Sequence, residues 1–172
     1  MRVVAGIVRG HPLRAPRGDT TRPTSDFVRE AVFNTLVAYV DLDQATVLDL
    51  FAGSGALGIE ALSRGAAHAT FVERDRNAIQ AIRLNLDKTG FTDKATVVAG
   101  DATKVELPEA DVVFADPPYA FEGWPALFPR FRTALAILES DRPIDPPDGW
   151  RVLKTKRYGS TVVTLTSPEA ES

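Results

Sequence analysis

Apolar residues follow two different periods along the chain, and each period predicts a different element. Val28, Val32 and Leu36 recur every four residues, which predicts a helix that Thr24 or Ser25 caps. From residue 46 onward, short continuous apolar runs occur at 46–51, 69–73, 95–100, 111–115 and 133–138. Such runs are typical of strands that are buried on both faces of a parallel sheet.

Helical segments separate the first of these strands. One helix is predicted over about 56–64 and ends at Gly65, and a second one ends at Gly90. After the fifth strand, the runs 150–155 and 160–166 flank a basic turn, KRYG, and predict a hairpin, with no clear helix before it. We therefore predict an α/β protein with a central, mostly parallel seven-stranded sheet, a C-terminal antiparallel hairpin and helices on both faces.

The two ends of the chain differ from its body. Residues 1–24 are rich in Arg, Gly and Pro and predict a small, basic N-terminal β-hairpin arm. The main domain is expected over 25–166, and the polar segment 167–172 is expected to be a disordered tail.

The net charge of −3 is unevenly distributed. Residues 1–30 carry +3 and residues 151–157 carry +4, whereas residues 31–149 carry −8. Basic ends on an acidic body indicate that a polyanion docks on one face of the protein.

Several classes of protein are excluded by composition. The chain has no cysteine, which excludes disulfides, thiolate metal sites and a cysteine nucleophile. It has only two histidines, so we expect no metal site. It has no apolar run of about 18 residues and no apolar segment of a secretory signal at its start, so we expect a cytoplasmic protein. Its size predicts a single domain and a monomer.

Residues 53–58 read GSGALG, which is the G-x-G-x-x-G pattern of a loop that binds a dinucleotide. Glu73 follows twenty positions after Gly53, where such a site places an acid for a ribose hydroxyl. This pattern alone leaves a nicotinamide enzyme as one interpretation.

The acids at the strand ends favour a different ligand. Each of the first four strands brings one to the same edge of the sheet: Asp49, Glu73, Asp101 and Asp116. S-adenosylmethionine has an ammonium, a sulfonium, a ribose diol and an adenine amine, but no pyrophosphate, so it suits such an edge. In this hypothesis Gly53 and Gly55 let the backbone approach the methionine moiety. Glu73 accepts from the ribose hydroxyls, and Asp101, with the Ala102 backbone nearby, accepts from the adenine amine.

The stretch Asp116-Pro117-Pro118-Tyr119 follows the fourth strand and carries the candidate chemistry. A residue before proline is held extended, which fixes the Asp116 carboxylate. Together with the Pro117 carbonyl, it offers two acceptors that would orient a planar amine toward a methyl donor. Tyr119 offers a flat face on which a base can stack. These features predict methylation of an exocyclic amine, and the absence of cysteine excludes the covalent route of pyrimidine C5 methylation.

Five stretches in this order resemble the RsmD family over about residues 2–165: RPTSDFVREAVFNTL, DLFAGSGALGIEALSRGA, FVERD, DPPY and KRYGSTVVTL. The arm-and-helix signature is the specific part, because the other motifs are widespread among methyltransferases. The resemblance implies a class I methyltransferase fold of Rossmann-like type. It also implies methylation at N2 of a guanine, position 966 of 16S rRNA, in the small ribosomal subunit or an assembly intermediate. Phe27 departs from the family pattern, where a polar or basic residue is expected.

The charge pattern agrees with an RNA substrate, because the basic arm and the KRYG turn can supply contacts to its phosphates. The predicted RNA contacts are Arg9, Arg14, Arg17, Arg22, Arg29, Lys154, Lys156 and Arg157.

Three alternatives of other classes stay open besides the nicotinamide enzyme. A DNA adenine-N6 methyltransferase shares the DPPY logic but normally carries a recognition domain, for which we expect no room here. A glutamine methyltransferase normally has Asn where this chain has Asp116. A non-catalytic RNA-binding module would keep the basic arm and fail to bind the donor.

Overall fold

The computed structural model describes residues 1–18 and 25–171. Its helices are α1 (Asp26–Leu36), α2 (Ala56–Ser63), α3 (Arg76–Thr89) and the short α4 (Trp124–Leu127). Its strands are β1 (Thr46–Leu50), β2 (His68–Glu73), β3 (Ala95–Ala99), β4 (Val112–Ala115), β5 (Leu135–Ser140), β6 (Trp150–Tyr158) and β7 (Thr161–Pro168). The Ser25 hydroxyl accepts from the Val28 N–H and so caps α1, whereas Thr24 lies outside the described residues.

The described strands form one sheet in the order β3-β2-β1-β4-β5-β7-β6. Strands β1 to β5 are parallel, and β7 pairs antiparallel with both β5 and β6. This arrangement confirms the predicted Rossmann-like α/β fold with a C-terminal hairpin. The strand order reverses between β1 and β4, and sheets of this kind bind ligands at that switch point.

The two faces of the sheet are covered differently. Helices α1, α2 and α3 pack on one face, where Phe33, Ile59 and Ile82 join Phe71 and Phe114 of the sheet in one apolar cluster. The other face is covered by α4 and a group of aromatic rings: Trp124, Phe128, Phe131 and Trp150. Long helices therefore cover only one face. No helix lies over 141–149, as the sequence predicted.

Three strands end later than the sequence predicted. Strand β5 reaches Ser140 instead of 138, and β7 reaches Pro168 instead of 166. The predicted basic turn is wrong, because Lys156, Arg157 and Tyr158 pair with β7 and belong to β6. The turn is formed by Gly159 and Ser160 instead. Sequence reasoning took the charges for a loop, but on an edge strand charged side chains are compatible with pairing.

The N-terminal segment forms a small hairpin that packs on α2. The Val3 N–H donates to the His11 carbonyl at 3.0 Å, and a bridge joins Arg2 to Pro12. Val3 and Leu13 are buried in the helix-side core. The N-terminal hairpin therefore packs as part of the main domain, since its apolar side chains are buried in the same core as those of the helices.

A buried ion pair fastens this hairpin to the domain. Glu60 accepts from the backbone N–H groups of Val4 and Ala5 at 2.8 and 3.0 Å. It also pairs with the guanidiniums of Arg29, at 3.3 Å, and Arg64, at 3.0 Å. The side chains of Arg29 and Glu60 are both fully buried. Arg29 is therefore not an RNA contact, contrary to the prediction: it donates to Glu60, to Asp26 and to the Arg2 carbonyl.

None of the helices within 1–18 and 25–171 is long and apolar enough to cross a membrane.

Candidate active site

A cleft of about 1130 Å³ lies at the carboxyl ends of the parallel strands. The strands end level with one another, since Leu50 pairs with both Val72 and Ala115. Residues that follow β1, β2, β3 and β4 consequently line the same space. This is the arrangement that the strand-end acids predicted.

Acidic residues dominate the polar lining of the cleft. The described acids that line it are Asp49, Glu73, Asp75, Asp101, Asp116 and Glu139, against two arginines, Arg17 and Arg74. A ligand group with positive charge is favoured here, and a pyrophosphate is disfavoured. Across 1–18 and 25–171 there is no cluster of His, Cys, Asp and Glu that could hold a metal ion.

Asp49 organises the loop after β1 from within the sheet. It is 1% exposed, and its carboxylate accepts from the Gly58 N–H at 3.0 Å. Burial raises the pKa of Asp49 well above its usual range, and the nearby carboxylates of Asp116 and Glu73 raise it further, while the bond from Gly58 opposes them. The three acids from β1, β2 and β4 therefore form one electrostatically coupled group.

The two glycines of the loop have different roles. Gly53 lines the cleft at a φ of +58°, and a Cβ at this position would meet no atom within 4 Å. That open side is the room that a bound ligand could use. Gly55, at a φ of +81°, is buried under Phe71, which a Cβ would approach to 3.3 Å. Gly55 therefore shapes the turn into α2 and is not part of the cleft lining.

Glu73 is held by three backbone donors. One carboxylate oxygen accepts from the Gly53 N–H at 2.8 Å, and the other accepts from Arg74 and Asp75 at 2.9 and 3.0 Å. A carboxylate has about four acceptor positions, so the oxygen that accepts from Gly53 keeps capacity for a further donor. The bond to Gly53 links the end of β2 to the loop after β1, which fixes the carboxylate beside the loop.

Asp101 and Ala102 begin the segment after β3. One Asp101 oxygen accepts from the backbone and hydroxyl of Thr103 at 2.8 and 2.7 Å, and these bonds lower the pKa of Asp101. The second oxygen is 4.0 Å from the Arg74 guanidinium. Ala102 is buried and its carbonyl accepts from Arg130, so this turn is rigidly placed at the edge of the cleft.

All four residues of the DPPY stretch line the cleft. The Asp116 N–H donates to the Leu50 carbonyl at 3.4 Å, which ties the end of β4 to β1 at the switch point. The Pro118 carbonyl accepts from the Phe121 N–H at 2.8 Å and closes a tight turn. Tyr119 is 42% exposed, and its hydroxyl lies 3.1 Å from that of Thr161 on β7. This bond anchors the tyrosine ring at the mouth of the cleft.

Sequence reasoning missed several residues that line the cleft. Glu139 is 3% exposed near the end of β5, so the fifth strand also brings an acid to this edge. It directly follows the predicted end of the fifth strand at 138 and was missed because only the acids of the first four strands were considered. Phe51 and Phe121 also line the cleft, with their ring centroids 5.2 Å apart. Trp124 packs against Phe121 and is buried.

The predicted RNA contacts fall into four groups. Arg17 is exposed and lines the cleft. Arg9, Arg14, Lys154, Lys156 and Arg157 are exposed outside it. Arg22 lies outside the described residues, and Arg29 is buried, as shown above.

Comparison with known proteins places this chain in a family. A family model described as "Conserved hypothetical protein 95" matches residues 1–167. Ribosomal RNA small subunit methyltransferase D of Haemophilus influenzae is 35% identical over 179 residues, which cover 92% of this chain and 89% of that protein.

Solved structures agree with this placement. The protein yhhF from Escherichia coli is 34% identical, covers 99% of each chain and has a TM-score of 0.85. An RNA methyltransferase from Salinibacter ruber, solved with S-adenosyl-L-homocysteine, is 23% identical and covers 88% of this chain and 97% of its own, with a TM-score of 0.68. That second likeness concerns the fold alone, which is the Rossmann-like fold of class I methyltransferases. The chain therefore belongs to the Conserved hypothetical protein 95 family, which is the RsmD family that its motifs resemble.

Proposed function

We propose that this protein transfers a methyl group from S-adenosylmethionine to the exocyclic N2 amine of a guanine in 16S rRNA. The coarser statement, a methyltransferase of ribosomal RNA that uses S-adenosylmethionine, is supported by the family and by the relative named for the small subunit. The guanine, its N2 atom and position 966 are the finer part of the proposal. The small ribosomal subunit or an assembly intermediate is the proposed partner, with the protein acting as a monomer.

The observation that carries the proposal is the set of acids from successive strands around one cleft. A nicotinamide dinucleotide would bring two phosphate charges into this lining, where the acids outnumber the arginines. A donor with an ammonium and a sulfonium gains from the same lining. The open side of Gly53 and the size of the cleft allow such a ligand.

Each part of the donor has a candidate partner in the chain. We assign the methionine end to the loop that Asp49 anchors and Gly53 lines, the ribose diol to the spare capacity of Glu73, and the adenine amine to Asp101 and Ala102. When bound, the donor supplies a methyl carbon on sulfur, and the sulfur keeps the bonding pair and leaves as a thioether.

Asp116 and Pro117 orient the amine that receives the methyl group. In the proposed complex the Asp116 carboxylate and the Pro117 carbonyl each accept one N–H, so the nitrogen lone pair points toward the donor. The nitrogen becomes positively charged as its new bond to carbon forms, and Asp116 stabilises that charge. The nitrogen then loses one proton to solvent. Tyr119, whose hydroxyl is held by Thr161, is proposed to stack on the purine ring.

The exposed cations outside the cleft are proposed to hold the RNA backbone. Phosphate contacts fix the position and orientation of the RNA, while the pocket selects the base. The acidic cleft repels phosphates, so the backbone is kept at the rim and only a flipped base enters.

The test is a transfer assay with S-adenosylmethionine labelled on its methyl group. Small subunits that lack the modification, naked 16S rRNA and duplex DNA are offered in parallel, and the product nucleosides are identified by mass spectrometry. N2-methylguanosine made by the wild type and lost in Asp116→Ala supports the proposal. Asp145→Ala is the matched control, because Asp145 is exposed and does not line the cleft.

The other outcomes separate the alternatives. Label on adenine N6 of DNA would overturn the substrate and leave the donor site in place. Donor binding without transfer to any of the three substrates would overturn the proposed RNA target. A chain that binds no donor would favour the non-catalytic RNA-binding module.

A further inference from the structure

Two aromatic side chains stand together at the mouth of the cleft. Phe27, in the first turn of α1, is 70% exposed, and Tyr158, the last residue of β6, is half-buried. Both line the cleft, and their ring centroids are 6.3 Å apart at an interplanar angle of 78°. Tyr158 therefore meets the Phe27 ring edge to face and supports it.

Packing does not account for the exposure of Phe27. The next residue, Val28, and Val32 point into the core and are buried, so Phe27 occupies the other side of the helix. A large apolar ring that stays in water forgoes the gain of burial.

The surroundings of the pair match a nucleic acid. Lys156 lies 5.3 Å from the centroid of the Tyr158 ring, and Lys154 lies two residues further along the same face of β6. Arg17 lines the cleft as well. Exposed cations beside an aromatic face are the features that hold single-stranded nucleic acid, since the cations follow the phosphates and the ring stacks on a base.

We propose that Phe27, supported by Tyr158, stacks on an unpaired base of the RNA next to the nucleotide that enters the cleft. This inference rests on the proposed function, because it takes the substrate to be RNA. Stacking at this position would hold the flipped strand open, and it is tolerant of sequence because every base has a flat face. Phe27 is thus a positioning residue for the substrate and takes no part in methyl transfer.

The test measures binding of a fluorescent single-stranded RNA heptamer to the full chain, without a methyl donor. The heptamer has guanine at its centre, and a series of derivatives carries one abasic site at each other position in turn. Phe27→Ala should weaken binding by about 5- to 150-fold, the range expected for one stacked base. Phe27→Tyr should stay close to the wild type, and Phe27→Leu should resemble Phe27→Ala because it has no ring. Tyr39→Ala is the matched control: Tyr39 is 45% exposed and does not line the cleft.

The abasic series decides between stacking and general apolar contact. One abasic position should weaken binding to the wild type and cause no further loss in Phe27→Ala, since the ring and the base form one interaction. Additive losses at every position would overturn the proposal, as would Phe27→Leu binding like the wild type or no binding of the heptamer at all.

Two further measurements distinguish this inference from the proposed function. With small subunits, Phe27→Ala should raise KM for the RNA and leave kcat and the affinity for S-adenosylhomocysteine nearly unchanged. A loss of affinity for S-adenosylhomocysteine alone would place Phe27 in the donor site and overturn the inference. So would a dimer, detected by light scattering, that dissociates in Phe27→Ala. The heptamer needs no catalysis, so its result stands even if no methyl transfer to rRNA is found.

Discussion

Replacement of Glu60 by glutamine should destabilise the protein strongly, because the residue holds a buried ion pair together. Glu60 is fully buried and its two oxygens accept from four donors: the N–H groups of Val4 and Ala5 and the guanidiniums of Arg29 and Arg64. In Glu60→Gln, an amide nitrogen takes the place of one oxygen and meets two of these donors. The buried Arg29 charge then keeps only the partly exposed Asp26 carboxylate as its anion.

The magnitude follows from the burial of the pair. Breaking a buried ion pair by removing one partner costs about 3–5 kcal/mol. A domain of this size loses about 2–4 °C in Tm for each kcal/mol, so the melting temperature should fall by about 6–20 °C. Since domains are stable by about 5–15 kcal/mol, the variant should fold but should lose a large share of its free energy of unfolding.

Urea unfolding, followed by the fluorescence of Trp124 and Trp150, measures the loss of free energy. Glu30→Gln is the control, because Glu30 is exposed on the same helix as Arg29. In Arg29→Met the added substitution Glu60→Gln should cost much less than it does in the wild type, because the two residues share one interaction. A loss below about 0.5 kcal/mol in Glu60→Gln, the usual range for surface substitutions, would refute this reasoning.

Three further outcomes are expected. The pKa of Asp49 is raised in the folded state, so at pH values above 3.8 the folded chain binds more protons than the unfolded chain. The contribution of Asp49 to the free energy of unfolding therefore falls as the pH rises toward the folded pKa. Urea titrations from acid to neutral pH should show a smaller fall in Asp49→Asn, and equal slopes would contradict the burial argument. Gly53→Ala should lower the free energy of unfolding by about 1–2 kcal/mol, because alanine is strained at the positive φ of this position. Calorimetry should show a larger loss in the free energy of binding S-adenosylhomocysteine, because the new methyl group points into the cleft. Unchanged affinity would remove Gly53 from the donor site. The double variant Lys154→Ala and Lys156→Ala should reduce the steepness with which the logarithm of the binding constant for single-stranded RNA falls with the logarithm of the salt concentration. The slope should change by about 1.4, which is about 0.7 for each phosphate that is no longer neutralised. Arg29→Met is the control and should leave that slope unchanged.

The sequence was sufficient to predict the parts of the site that lie at the ends of parallel strands. Continuous apolar runs predicted the parallel sheet, and the level ends of parallel strands then brought Asp49, Glu73, Asp101 and Asp116 together. Local rules were sufficient here, because the carboxyl ends of such strands necessarily share one edge.

Local sequence rules could not predict the contacts between segments that are far apart in the chain. Arg29 looked like one more cation of a basic arm, and only the docking of the hairpin on α2, through Glu60, shows that it is buried. Strand β5 ends later than predicted because its last residues pair with β7, which lies later in the chain. Lys156 and Arg157 were assigned to a turn because their charge hid the pairing of β6 with β7.

The most direct test of the central claim is the rate of methyl transfer by Asp116→Asn in a single turnover. The variant keeps the size of the side chain and loses the charge that is proposed to stabilise the amine nitrogen. With saturating S-adenosylmethionine and small subunits that lack the modification, the rate of N2-methylguanosine formation should fall by about 100-fold or more. The affinity for S-adenosylhomocysteine should stay within about twofold of the wild-type affinity, because no donor contact is assigned to Asp116. A twofold change corresponds to about 0.4 kcal/mol of binding free energy. A variant that forms N2-methylguanosine at the rate of the wild type would contradict the role of Asp116 and the site built around it.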